Sequence, residues 1–270
     1  MGKTARMVIP IHDRNPVLRT PVVTYTLIAI NFVVFLLEPI HHFAVLHHGT
    51  AATVCGQYRF FDHYAAIPHE LITNEPERHA YVNAFGRIVC ADYFPHKIPA
   101  LSVLTSMFLH GSWLHILGNM LFLYVFGNNV EDRFGRFRFL LFYLVSGYVA
   151  AYGFALAFRN SDTPIIGASG AIAGVLGAYL ILSPRARVTS LVPFLFFIPL
   201  PLPAWLVLGG WFLLQWFYAT GSAVAQGSGV AYLAHVIGFA FGVIVTAWLK
   251  PRLRPPIGRY GRTPYRSLAI

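Results

Sequence analysis

One serine, Ser169, lies in the run Ile165-Ile166-Gly167-Ala168-Ser169-Gly170-Ala171-Ile172-Ala173-Gly174-Val175-Leu176-Gly177, among apolar and very small residues. A serine hydroxyl becomes a nucleophile when a base takes its proton, and neutral histidine is the side chain best suited to that task near neutral pH. The matching base is His235, whose neighbours Gly238 and Gly242 fall on its own helix face. Ser169, Ala173 and Gly177 form a second smooth stripe, so two helices can meet with a hydroxyl and an imidazole at one level. A third stretch, His110-Gly111-Ser112-Trp113-Leu114-His115-Ile116-Leu117-Gly118-Asn119, adds polar groups to an apolar background, and His115 and Asn119 share a face four residues apart.

This set suits acyl transfer. His235 is the expected base, and Asn119, His115 and the backbone N–H of Ser169 are the expected donors to an oxyanion. No carboxylate lies in any apolar run, which points to a dyad rather than a triad. The missing second glycine of G-x-S-x-G argues against an α/β-hydrolase elbow. Taken singly, Ser169 reads as a helix-packing residue and His110 as glue between helices. The depth-matched group of Ser169, His235, His115 and Asn119 points instead to a site, because polar groups at membrane depth are expensive.

The elements that must position these residues follow from composition. With 56% hydrophobic and 11% charged residues and a mean hydropathy of +0.59, the chain reads as an all-α polytopic membrane protein. Apolar runs near 21–37, 108–127, 137–158, 165–182, 203–220 and 230–249 predict six spans in one membrane domain, 21–249, flanked by an N-terminal segment, 1–20, and a basic tail, 250–270. The first run has neither a short apolar core nor a small-residue cleavage site, so it is expected to remain as an anchor. Ser169 then lies roughly 6 Å below the outer end of its span, His235 roughly 7.5 Å and His115 roughly 11 Å.

Basic residues set the orientation. Lys and Arg concentrate before the first span, around Arg133 to Arg138, at Arg185 and Arg187, and in the tail, which places both termini in the cytoplasm, with a plasma (inner) membrane as the expected location. The net charge of +10 is thereby explained by topology and anionic lipid, without a nucleic-acid partner. Residues 127–135, with glycine at each end, read as a cytoplasmic turn, and the prolines of 191–202 as an interfacial segment that breaks helix.

The external loop, 38–107, is too long for a simple connector and is expected to have structure of its own, with aromatic residues at the membrane surface. Its histidines His41, His42, His47 and His48 match no closed ligand set, so no metal is expected. Its two cysteines, Cys55 and Cys90, predict a disulfide on the oxidising side.

These residues resemble the rhomboid intramembrane serine proteases. Gly167-Ala168-Ser169-Gly170 is similar to that family's nucleophile motif, Ala234-His235 with Gly238 and Gly242 to its histidine motif, His110 through Asn119 to its second-helix motif, and Glu131-Asp132-Arg133-Phe134-Gly135 to its cytoplasmic turn. The likeness runs over about 105–247. It implies a six-helix rhomboid bundle that cleaves single-pass membrane proteins in or near their spans without a cofactor, with Ser169 and His235 catalytic and His115 and Asn119 in the oxyanion hole. Gly167, Gly170, Gly174, Gly238, Gly242 and His110 would pack and support the site. It also implies that the fifth helix and the loop 220–229 act as gate and cap. The chain departs from the family pattern in two places: Leu101 and Ser102 stand where many members carry Trp-Arg, and Ala173 stands where an aromatic often follows the serine by four. Two rival functions are a catalytically silent rhomboid-like binding factor, which the intact Ser169 and His235 oppose, and a transporter, which would need polar residues through both leaflets.

Overall fold

The computed structural model describes residues 8–39, 51–82, 88–192, 198–222 and 231–253. In chain order these form β1 (Ile9–Asp13), α1 (Val22–Leu37), α2 (Ala51–Tyr64), α3 (Pro68–Thr73), β2 (Arg78–Val82), β3 (Ile88–Tyr93), α4 (Pro99–Ser106), α5 (Trp113–Phe122), α6 (Asn128–Phe134), α7 (Arg136–Ala157), α8 (Ser169–Leu182), β4 (Arg187–Val192), β5 (Ile198–Pro203), α9 (Ala204–Ser222) and α10 (Tyr232–Leu249). The His-rich stretch 41–48, the loop 223–230 and the tail from 254 lie outside the described residues.

The architecture is mostly helical. Among the described residues, α7 and the stretch Tyr232–Arg252 are long and apolar enough to cross a bilayer, while Val22–Leu37 and Ser169–Leu182 are shorter apolar helices. Large apolar side chains point outward from several of them, including Leu37 (78% exposed), Phe137 (79%) and Ile244 (68%). In water such surface would be costly; against hydrocarbon it is neutral.

Four sequence expectations change. The run at 108–127 is not one helix from its start: α5 opens at Trp113, with the Ser112 hydroxyl accepting from the His115 N–H at 3.2 Å, so His110 lies in the loop before it. The expected turn at 127–135 is helical. Leu123–Gly127 is a π-turn that continues into α6, and only Gly135, at φ 82°, separates α6 from α7. The run at 165–182 becomes helix only at Ser169. Finally, strands accompany the helices. β1, β4 and β5 form an antiparallel sheet with β4 in the middle, and β2 and β3 form a hairpin.

β5 explains the proline-rich segment. Pro199, Pro201 and Pro203 alternate along it and pair with Leu191, Thr189 and Arg187. Those β4 residues face β1, since the Arg187 carbonyl accepts from the Arg14 N–H at 3.1 Å. The three prolines therefore turn their missing donors to the sheet's outer edge, the one place in a sheet where proline costs little.

Polar anchors fix the ends of the bundle. Glu131 of α6 accepts from the Val23 and Thr24 N–H groups at 3.0 and 2.8 Å, capping the start of α1 with a carboxylate where the helix dipole favours one. The segment between α1 and α5 is built from α2, α3, the hairpin and α4, and Cys55 and Cys90 are joined by a disulfide that ties α2 to β3. This segment meets the chain just before Ser169: the Ile165 N–H donates to the Ala66 carbonyl at 2.7 Å and the His69 N–H to the Ser161 carbonyl at 3.1 Å.

Candidate active site

The serine and the histidine sit on two helices whose backbones nearly touch. A β-carbon at Gly238 would fall onto the Gly170 carbonyl oxygen, one at Gly242 onto the Gly174 carbonyl oxygen, and one at Gly177 onto the Phe239 carbonyl oxygen. On the other side of α8, a β-carbon at Gly170 would lie 2.8 Å from that of Ala150 on α7. Glycine is therefore dictated by close approach along this seam, and α7, α8 and α10 lock together at their backbones.

That seam brings the two side chains into register. The His235 Nε2 lies 2.7 Å from the Ser169 Oγ, although the residues are 66 positions apart. Both are half-buried, so the pair is not sealed in the core. Ser169 is the first residue of α8, where backbone N–H groups have no acceptor within the helix.

The loop before it sets the opposite wall. Gly167 adopts φ +112°, and a β-carbon there would stand 2.7 Å from His115 Nε2 and 3.6 Å from Asn119 Nδ2. Glycine is needed here twice, for its backbone conformation and for the space. The Gly167 N–H donates to the Ser106 carbonyl at 2.9 Å, which pins the loop. Asn119 is 8% exposed, and its Nδ2 is a buried donor with no hydrogen-bond partner. A buried orphan donor calls for an explanation, and an acceptor supplied by a ligand is one. His110, fully buried, packs edge-on against His115 with ring centroids 5.0 Å apart, and its backbone N–H donates to Glu38 Oε1 at 3.0 Å.

The far side of the His235 ring is held by α9. The ring's Nδ1 lies 2.8 Å from Gln215 Oε1, and the Trp211 ring sits 6.0 Å from it at 33°. Sequence reading passed over both residues. Gln215 carried the same signal as Asn119, a polar residue inside an apolar run, while Trp211 was indistinguishable from any apolar residue of its span. Ala173 contributes no ring and is fully buried in the core.

Among the described residues, one group outside the site has metal-like chemistry. His69, Glu77 and Asp162 bring ligand atoms within 4.8 Å of one another, but His69 already faces the two carboxylates as ion-pair partners at 3.4 and 3.7 Å. Three partly exposed ligands fall short of a closed zinc site.

Residues 100–252 match the Rhomboid domain, more than half of the chain. The chain belongs to the rhomboid family. This rhomboid protein is 34% identical over 160 residues to Rhomboid protein 1, mitochondrial, of Saccharomyces cerevisiae, covering 57% of this chain and 42% of that one. It is 35% identical over 106 residues to RHOMBOID-like protein 6, mitochondrial, of Arabidopsis thaliana, covering 37% of this chain and 34% of that one. It is 38% identical over 85 residues to Rhomboid-like protein 11, chloroplastic, of the same plant, covering 31% and 30%. The matched region thus spans less than half the length of each of these relatives. Family membership and the helical build make this an integral membrane protein with an all-α membrane-type fold, to which the small sheet and the hairpin are additions.

Proposed function

We propose that this rhomboid protein is an intramembrane serine endopeptidase, cleaving single-pass membrane proteins in or near their spans, with Ser169 as nucleophile and His235 as general base. In this reading six helices cross the bilayer: α1, α5 with its π-turn, α7, α8, α9 and α10. Both termini lie in the cytoplasm, and the site opens on the face that carries the Cys55–Cys90 disulfide. The observation that carries the proposal is the 2.7 Å contact between His235 Nε2 and Ser169 Oγ beside an unpartnered buried amide donor. The relatives are named for mitochondria and a chloroplast, so the reading is confined to an integral membrane and leaves out the plasma-membrane expectation.

The positions of the atoms support the following chemistry. As Ser169 Oγ attacks the scissile carbonyl carbon, its proton passes to His235 Nε2. Negative charge collects on the former carbonyl oxygen, where Asn119 Nδ2, His115 Nε2 and the Ser169 N–H serve as donors. The intermediate collapses by breaking the C–N bond, and the leaving amine takes the proton from His235. Water then attacks the acyl-serine with the same imidazole as base, regenerating the hydroxyl.

The test is cleavage of a single-pass substrate by purified protein, compared with Ser169→Ala and His235→Ala, together with labelling by a fluorophosphonate probe. Ser169-dependent cleavage and labelling support the proposal; binding of the substrate without cleavage, by wild type and variants alike, would assign the silent binding role instead.

A further inference from the structure

Two of the helices that meet α10 are joined to it in different ways. α8 meets it backbone to backbone at the glycine seam. α9 meets it through side chains arranged as a ladder: Phe212 stacks on Phe239 with centroids 4.8 Å apart, Tyr218 stacks on Tyr232 at 5.0 Å, and between them Gln215 bonds His235 at 2.8 Å. Gln215 is 4% exposed, while its helix neighbours Leu213, Trp216 and Phe217 are 66%, 52% and 68% exposed. A polar side chain on the buried face of an otherwise apolar helix is costly unless its partner repays the desolvation.

Its partner is one ring nitrogen. The Gln215 Oε1 is an acceptor, so it selects the tautomer in which His235 Nδ1 carries the hydrogen and leaves Nε2 with the lone pair that a base needs toward Ser169. The titratable neighbours of the ring, His115 on α5 and Tyr232 on α10, do not bond Nδ1 among the contacts described. We infer that Gln215 is a positioning residue which fixes the tautomer of His235, so that the base is assembled only while α9 is seated against α10. The inference rests on the protease reading for its catalytic consequence, but the tautomer itself is a property of the resting protein. Displacing α9 leaves Ser169 and His235 on their glycine-locked scaffold and removes the orienting acceptor.

The experiment uses the full-length protein. Gln215→Met keeps the length of the side chain and loses the amide acceptor, Gln215→Glu keeps an oxygen acceptor, and Phe212→Ala loosens the ladder without touching His235. Nitrogen-15 spectra of histidine-labelled protein, with the His235 signal assigned by its loss in His235→Ala, are expected to show the Nδ1–H tautomer in wild type and Gln215→Glu, and a mixture of tautomers in Gln215→Met and, to a smaller extent, Phe212→Ala. With a cleavable substrate, Gln215→Met is expected to lower kcat by about 10- to 100-fold with KM unchanged, less than the roughly 10⁴-fold that follows loss of a triad carboxylate's orienting role. Gln215→Glu recovers most of that rate, whereas a purely structural defect would not be rescued. An unchanged tautomer in Gln215→Met overturns the inference, and an unchanged tautomer in Phe212→Ala overturns its dependence on α9. Absence of Ser169-dependent cleavage by wild type would instead remove the protease reading, with the tautomer still deciding the role of Gln215.

Discussion

Among the described residues, two of the buried polar clusters are built on different principles. In the segment between α1 and α5, Lys97 Nζ lies 2.6 Å from Glu70 Oε2 and donates to the Asp62 carbonyl at 2.6 Å, while Glu70 Oε1 also accepts from the Glu77 N–H at 3.1 Å and lies 3.4 Å from His79 Nε2. The Lys97 and Glu70 side chains are 3% and 2% exposed, and these two opposite charges face each other. In the membrane domain, Ser169, His235, His115 and Asn119 come together without any such ion pair, and the Asn119 Nδ2 has nothing to donate to. A cluster centred on a cation and a carboxylate spends its polarity on holding a shape. An unpaired buried donor costs stability until an outside acceptor meets it. The contrast separates structure from chemistry better than residue type does, since both clusters contain histidine.

The contrast can be broken by substitutions of very different size. Ser169→Ala is expected to abolish cleavage while leaving the thermal unfolding midpoint within the scatter of wild type; a large fall in the midpoint would mean that the hydroxyl is a structural group. Lys97→Ala should do the reverse, leaving the Glu70 charge buried without its cation at a cost of about 3–5 kcal/mol, read as a lowered midpoint. Asn119→Ala is expected to reduce kcat by about 10²–10³-fold, the usual loss for one oxyanion donor, with no loss of stability, because its amide has no partner to lose. A destabilised Asn119→Ala would place the amide in the first kind of cluster. The smallest effect is the pH response of the segment between α1 and α5. Burial works to raise the Glu70 pKa, but hydrogen bonds from His79 and Lys97 and the Lys97 charge outweigh it and hold the group below its ordinary 4.5. Its contribution is therefore complete above 4.5 and lost as pH falls through the depressed value. The hydrogen bond to Glu70 raises the His79 pKa above 6.5, so that share is complete below 6.5 and lost as pH rises through the raised value. Hydrogen exchange in α3 and β2 should rise at both extremes, and in Glu70→Gln both trends should flatten.

The bonded cysteines fit the same division. Cys55 and Cys90 close a loop of 35 residues, for which the chain-entropy account gives about 4 kcal/mol of stabilisation. Reduction should loosen the segment between α1 and α5 and leave the contact between Ser169 and His235 in place.

How much of this was legible beforehand depends on how local each signal is. The glycine stripes on α8 and α10 announced close helix contact, and polar residues in apolar runs announced Ser169, His115, Asn119 and His235. Gln215 was missed although it obeys the same rule. The positions of helix ends differ from expectation where a cap or a glycine conformation decides them: Ser169 starts α8 instead of lying a turn inside it, because Gly167 at φ +112° and the pairing of Ile165 with Ala66 keep the chain before Ala168 out of the helix. The sheet was invisible because its three strands come from the N-terminal segment and from both halves of the 187–203 loop, and alternating prolines look like a helix break until a partner strand shows which edge they face.

Hydropathy and residue spacing alone determined that the chain is a membrane protein, which faces of its helices pack, and which few polar groups stand out, because these depend on the period of the helix and the cost of polarity in hydrocarbon. Only the tertiary structure decided which groups meet. It set Ser169 against His235 across 66 positions, placed Gly167 beside His115 and Asn119, and gave the imidazole its second partner from α9. Contacts between segments distant in the chain are fixed by how backbones fit at a seam, and that fit has no period to be read along the sequence.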